Sequence, residues 1–226
     1  MQKNTIKINS SVIPSQIEFS SVFNVAEIFI DRHIKEGRKE KVAIFTTDGV
    51  EVTYGELFEN VNKSGNLLKR LGLKKGDRIL MMVKDSPEFF YLFWGAIKAG
   101  IIPVPINTLL RSKDYAFIIQ DSACSGVVYS QEFSNEVEPA ISKVSHKLVF
   151  SLVTIGGLKC FMEEILLESS ELVTNSATPT DDCFWLYSSG TTGKPKGAVH
   201  SQRSMVITSQ LYGKDILGVC EDDICF

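Results

Sequence analysis

Residues 78–129 read RILMMVKDSPEFFYLFWGAIKAGIIPVPINTLLRSKDYAFIIQDSACSGVVY, and the alternation inside this stretch decides the fold. Arg78 to Val83 is an apolar run of strand length. Ser86-Pro87 opens a helix, because proline at the first helical position gives up no needed hydrogen bond. Gly100 closes that helix, and Ile101 to Pro105 returns as a strand. Ser112 then begins another helix, and Gly126 to Tyr129 is a further strand. Strands alternating with helices at this spacing predict an α/β fold of parallel β-α-β units, not an all-β fold or a bundle. The most apolar part, Phe89 to Ile106, is interrupted by Gly95, Lys98, Gly100, Pro103 and Pro105. A membrane-spanning helix needs about 20 apolar residues without such breaks, so the segment is read as core.

The pattern extends outward in both directions. Lys147 to Val153 reads as another strand. Upstream, Phe23 to Glu36 is predicted helical, with Val25, Ile28, Phe29 and His33 on neighbouring turns and Gly37 as its stop. Charges between Lys35 and Lys41 form a solvated connection. Val42 to Thr46 and Val50 to Thr53 flank Thr47-Asp48-Gly49, a hairpin signal. Thr53 and Glu56 fit a capping box at the start of a helix that turns Leu57, Val61, Leu68 and Leu71 inward and ends near Gly72. The polar run ESSELVTNSATPTDD, residues 168–182, is the best internal boundary. It predicts a first α/β subdomain over residues 1–170, then a linker or long surface connection and the start of a second subdomain over 171–226. Asp181-Asp182 within it reads as a solvated turn, not a catalytic carboxylate pair.

Composition narrows the classes. The 226 residues carry 24 Lys and Arg against 27 Asp and Glu, a net charge of −3, and 44% are hydrophobic. That content excludes disorder, and the near-neutral balance argues against a basic face that would wrap nucleic acid. The five cysteines form no CxxC pair and are odd in number, and the first residues, MQKNTIKINSSVIPSQ, hold no apolar core of a secretion signal. Free, buried thiols in a reducing cytoplasm are expected. Cys220 and Cys225 have no histidine nearby, so no metal ligands are assigned.

Chemistry concentrates after the boundary. The apolar strand Cys183-Phe184-Trp185-Leu186-Tyr187 runs into Ser188-Ser189-Gly190-Thr191-Thr192-Gly193-Lys194-Pro195-Lys196-Gly197, and Ala198-Val199-His200 resumes a short strand. A glycine- and hydroxyl-rich loop between two buried strands suits a polyphosphate. Its three glycines let backbone N–H groups approach an anion. Ser188, Ser189, Thr191 and Thr192 offer hydroxyl donors, and Lys194 and Lys196 supply positive charge. A flexible linker has a similar composition, but the flanking strands and the Lys-Pro-Lys insert speak for a cradle. GxxxxGK followed by Ser or Thr does not occur, nor do GxGxxG, GxSxG or HExxH. Trp185 reads as a core aromatic beneath the loop, and His200 as packed or capping.

The loop Ser188 to Gly197 resembles, position by position, the phosphate-binding motif of the adenylate-forming (AMP-binding) enzymes, which include acyl- and aryl-CoA ligases. Thr53 to Leu57, Gly76-Asp77-Arg78, Gly95 to Gly100, Pro103-Val104-Pro105 and Asn107 follow the same family's order. Phe184 to Tyr187, Tyr212 to Gly218 and Asp222 to Phe226 look most like benzoate-CoA ligases. The resemblance implies layered sheets with flanking helices. It also implies the ATP-dependent joining of a small-molecule carboxylic acid to coenzyme A through an acyl-adenylate, with benzoate or a hydroxybenzoate the leading acid by subgroup likeness and a cinnamate-type or fatty acid the alternative. Ser188, Ser189, Gly190, Thr191, Thr192, Gly193, Lys194, Lys196 and Gly197 would then hold ATP, with Lys196 stabilising phosphate charge and Lys194 a less central helper. Mg2+ would share that charge, with Thr191 or Thr192 a weak ligand. By the same resemblance, the family continues past this point, and that further part carries its adenine and ribose contacts, its acidic metal ligand, most of the acid pocket and the C-terminal domain with its catalytic lysine. The expectation is therefore an N-terminal portion that is inactive alone, with a non-catalytic nucleotide-binding remnant as the alternative.

Overall fold

The computed structural model describes residues 2–142, 148–152, 160–189 and 193–225. In chain order the elements begin with β1 (Ile6–Asn9), β2 (Gln16–Phe19), a π-helical turn (Glu27–Asp31) continued by α1 (Arg32–Lys35), β3 (Val42–Phe45), β4 (Glu51–Thr53) and α2 (Tyr54–Arg70). The central part holds β5 (Arg78–Met82), α3 (Pro87–Ala99), β6 (Ile102–Pro105), α4 (Ser112–Asp121), β7 (Gly126–Tyr129), α5 (Ser134–Ile141) and β8 (Leu148–Ser151). After α6 (Phe161–Ile165) come β9 (Asp182–Ser189), β10 (Pro195–Ser201) and α7 (Ser204–Thr208).

Four strands form a parallel sheet in the order β6-β5-β7-β8. Both of its faces are covered. Ile79, Met81 and Val83 pack with Leu67, Leu68, Leu92, Phe93, Ala96 and Ile97, so α2 and α3 roof one face. Leu80, Met82, Val104 and Val127 pack with Tyr115, Ile118, Ile119, Val137 and Ala140, so α4 and α5 cover the other. Burial on two sides explains why β5 carries no polar alternation.

Local chemistry places the helix ends where the sequence puts them. Thr53 Oγ1 accepts from the Glu56 N–H at 3.2 Å, and the Glu56 carboxylate accepts from the Thr53 N–H at 2.8 Å, completing the capping box. Pro87 is the first residue of α3, and Gly100 ends it in the left-handed region. The predicted helix over 23–36 forms only from Glu27, and its first turn is π-helical. Lys147 and Val153, the ends of one predicted strand, lie outside the described residues, as does His146.

Two features hold α2 against α3. A Cβ on Gly95 would stand 2.7 Å from the Val61 carbonyl oxygen, and one on Gly65 would stand 2.8 Å from the Gly95 carbonyl oxygen, so the helices meet backbone to backbone. Nearby, Lys98 is 1% exposed and its ammonium lies 2.6 Å from Asp31 Oδ1 and 4.6 Å from the centre of the Phe58 ring. The stretch predicted as a linker or surface connection has no regular structure but is tied down. Asn62 Nδ2 donates to the Ser170 carbonyl at 2.7 Å, Asn66 Nδ2 to those of Ser169 and Glu171, and the Asn175 N–H to that of Lys98.

Candidate phosphate-binding site

β9 and β10 pair antiparallel as a two-stranded ribbon whose turn carries the glycine-rich loop. β9 runs beside β6 at the edge of the parallel sheet. The ladder starts earlier than the sequence suggests. Pro195 pairs with Ser189, Lys196 with Ser188 and Gly197 with Tyr187, so Lys196 and Gly197 are strand residues, not loop residues. The expectation of two buried flanking strands is also corrected. Residues 196–199 of β10 are all exposed, because only β9 has the parallel sheet beside it.

Period-2 geometry sorts the side chains. Phe184, Leu186 and Ser188 share one face of the ribbon with their partners His200, Ala198 and Lys196. Trp185 and Tyr187 point the other way and pack with the α4 side of the sheet. Ser188 and Lys196 are thus direct cross-strand neighbours, both exposed, at the mouth of the turn. Opposed residues of this kind have Cβ atoms about 5 Å apart. A hydroxyl donor and an ammonium so spaced can engage two oxygens of one phosphate chain.

The rest of the loop is only partly in view. Gly193 is exposed with φ +86°, a left-handed conformation at which glycine is unstrained, and it has open space around its Cα. Lys194 does not stand free. Its ammonium lies 5.7 Å from the centre of the Phe117 ring. Ser189 closes the ladder opposite Pro195. Gly190, Thr191 and Thr192 lie outside the described residues.

The neighbouring aromatics are packed groups. His200 stacks on Phe184 with ring centres 4.5 Å apart and planes parallel within 1°. Both line an open cleft of about 330 Å³ with Phe29, Ser204, Met205, Thr208 and Ser209. Trp185 is half-buried beneath the ribbon, and the Arg78 guanidinium lies 5.7 Å from its ring centre. Asp181 accepts from Thr178 Oγ1 at 2.6 Å and from Lys75 Nζ at 3.1 Å, and these hydrogen bonds hold its carboxyl below the usual range. It ties down a turn, whereas Asp182, read with it as part of that turn, is the first residue of β9. Sequence reasoning missed Arg78, Phe117 and Asp121 as partners of this ribbon. Their contacts depend on how α4 and β5 lie against β9, for which spacing offers no signal.

Cys124, Cys160 and Cys183 are buried thiols as expected, whereas Cys220 and Cys225 are exposed. Among the described residues no cluster of three His, Cys, Asp or Glu side chains could hold a metal. No helix there is long and apolar enough to cross a membrane.

Comparison with known proteins decides the family. Residues 30–226 match the AMP-binding enzyme family. The chain belongs to it. It is 39% identical over 216 residues to the benzoate–CoA ligase of Thauera aromatica, covering 94% of this chain and 40% of that protein. To the 4-hydroxybenzoate–CoA/benzoate–CoA ligase of Rhodopseudomonas palustris it is 37% identical, covering 90% and 38%. Among solved structures, an anthranilate–CoA ligase in complex with anthranoyl-AMP superposes with a TM-score of 0.85 at 32% identity, over 91% of this chain and 40% of that one. A benzoate–CoA ligase from Burkholderia xenovorans gives 0.81 at 31%, over 89% and 39%. The chain therefore spans about 40% of the length of the relatives it matches. As an AMP-binding enzyme it has the expected α/β fold, a parallel sheet flanked by helices.

Proposed function

We propose that the protein takes part in ATP-dependent activation of an aromatic carboxylic acid of the benzoate type and its transfer to coenzyme A. The observation that carries this reading is the Ser188–Lys196 cross-strand pair at the mouth of a glycine-rich turn, in a chain whose close relatives are named for benzoate and 4-hydroxybenzoate. In the first step a carboxylate oxygen attacks the α-phosphorus of ATP, the bond to the bridging oxygen breaks, and pyrophosphate leaves. In the second, the coenzyme A thiolate attacks the acyl carbonyl and AMP leaves.

Two anions must approach in the first step, so the charge on the departing pyrophosphate has to be neutralised in place. Lys196 supplies a cation there and Ser188 a hydroxyl donor. Ser189, Gly193 and Gly197 shape the backbone around them. Lys194, held over Phe117, is assigned to steadying the turn and to a secondary charge contribution. Gly190, Thr191 and Thr192 enter the proposal from their resemblance to the family motif. Mg2+ would arrive with ATP and share its charge. We also retain the division near residue 170, with 171–226 carrying the phosphate-binding ribbon.

The test is benzoate-dependent ATP–pyrophosphate exchange by the complete gene product, with 4-hydroxybenzoate and octanoate as competing acid classes. Lys196→Met should weaken turnover roughly 10- to 150-fold, the equivalent of one charge-assisted hydrogen bond of about 1.5–3 kcal/mol. Undiminished exchange in that variant refutes the assignment. Octanoate preferred over benzoate refutes the acid class, and ATP binding without exchange by any acid supports a non-catalytic nucleotide binder instead.

A further inference from the structure

One side chain of β9 leaves the ribbon and reaches a helix of the central layer. Tyr187 precedes Ser188 by one residue and faces Gly197 across the ladder. A Cβ on Gly197 would stand 3.1 Å from Tyr187 Cζ and 3.4 Å from its hydroxyl oxygen, so the ring lies across β10 in the space that glycine leaves. The hydroxyl donates to Asp121 Oδ2 at 2.6 Å. Asp121 is the last residue of α4, and α4 is anchored in the core through Tyr115, Ile118 and Ile119.

An aspartate at a helix C-terminus opposes the helix dipole, so α4 itself gives no reason for this residue. Phe117, which carries the Lys194 ammonium, lies one turn before Asp121 on the same face of α4. Both ends of the loop therefore rest on one stripe of one helix. Two residues earlier on the same face of β9, Trp185 sits against the Arg78 guanidinium, which is itself fixed by the carbonyls of Gly76, Ser122 and Ala123.

We propose that Tyr187 and Asp121 are positioning residues for the phosphate-binding loop, their hydrogen bond setting the angle at which the β9–β10 ribbon presents Ser188 and Lys196. This rests on the phosphate-binding reading of the loop and adds to it the residues that fix its stance. Burial, and then the Asp121 carboxylate, push the Tyr187 phenol well above its ordinary range, so the hydroxyl keeps its proton and remains the donor.

The test uses amide hydrogen exchange of residues 186–189, 193, 194 and 196–198, with β5 and β7 as internal reference, in Tyr187→Phe, Asp121→Leu and Asp121→Asn. Asparagine keeps an acceptor at the same place. Phe and Leu should each speed exchange in the ribbon about 3- to 10-fold while the central sheet is unchanged. Asn should stay near wild type, and the Phe/Leu double variant should be no faster than either single. Ribbon amides that do not respond, amides that speed up everywhere alike, or an Asn variant as fast as Leu would each overturn the proposal.

Inorganic tripolyphosphate binding, measured by calorimetry, separates the two readings. Wild type that binds while the Phe and Leu variants bind equally well refutes the positioning role alone. Wild type that fails to bind refutes the phosphate reading on which it rests. Weakened binding in Phe and Leu with recovery in Asn supports both.

Discussion

Replacing Lys98 with methionine keeps an unbranched apolar stem and removes the ammonium with its charge and its hydrogen bond to Asp31, which tests what the buried pair does. The Lys98 and Asp31 side chains are 1% and 10% exposed, and 2.6 Å separates the ammonium from Asp31 Oδ1. Asp31 Oδ2 accepts no hydrogen bond among the described residues. Burial already raises the Asp31 carboxyl above its ordinary value, against the pull of Lys98. Without the ammonium, that carboxylate keeps only the weaker pull of Lys35 against its desolvation, a loss of about 3–5 kcal/mol at pH 7. Asp31 then binds a proton in the folded state that the unfolded chain releases. Stability should therefore fall as pH rises above about 4, by roughly 1.4 kcal/mol per unit, until Asp31 ionises in the fold. Urea denaturation at pH 4.5, 5.5 and 7 reads both effects, and Asp31→Leu added to Lys98→Met should restore most of the loss. A Lys98→Met protein within 1 kcal/mol of wild type at pH 7, with no dependence on pH across that window, refutes the reasoning.

His33 should make the fold sensitive to acid. Its ring stacks on Tyr54 at 3.9 Å, its Nδ1 accepts from Arg38 Nε at 3.0 Å, and burial followed by the charges of Arg38 and Arg32 pushes its pKa down to about 4. The unfolded chain takes up this proton near 6.5, so the contribution is complete above that value and is lost as pH falls through 4. Because the ring is half exposed, solvent screening leaves about 1–2 kcal/mol. The stability difference between wild type and His33→Gln should shrink by that amount between pH 7 and 4, and a constant difference would exclude it. Gly95→Ala should cost about 3 kcal/mol, because its Cβ meets the Val61 carbonyl and, at 2.9 Å, the Gly65 nitrogen, and backbone cannot yield without parting α2 from α3. Gly213→Ala, where a Cβ meets nothing within 4 Å, is the control, and equal melting temperatures for the two variants would contradict the packing.

What the sequence made legible follows the range of the interactions involved. Thr53 with Glu56, Pro87, Gly100 and Ser112 act within one helical turn of themselves, and each stands at the predicted helix boundary. The hairpin β1–β2 is not legible in the sequence: IKIN and QIEF alternate strictly, but over only four residues each, too short a run to stand out from chance. The π-helical turn over Glu27–Asp31 escaped for a related reason, since apolar spacing of three and four residues fits either helix. Segment 169–177 reads as polar and unstructured from composition. Its backbone is in fact bonded by Asn62, Asn66 and Lys98, partners that lie 77–108 residues earlier.

The candidate site divides in the same way, and the division is written in the two-residue period of β9. Ser188 and Lys196 are recognisable because their chemistry is intrinsic to hydroxyl and ammonium groups. Tyr187 and Trp185 read only as apolar strand residues. What they do depends on Asp121 and Arg78, 66 and 107 positions away. Once β9 lies beside β6, alternate positions must face opposite ways. A residue pair on the open face is therefore flanked by residues that can only point toward the scaffold. Short hydrogen bonds and ring contacts on the scaffold side fix the open side without occupying it. The positioning role proposed for the tyrosine one place before the first serine follows from that geometry: the same register that exposes Ser188 and Lys196 aims Tyr187 at Asp121 on α4.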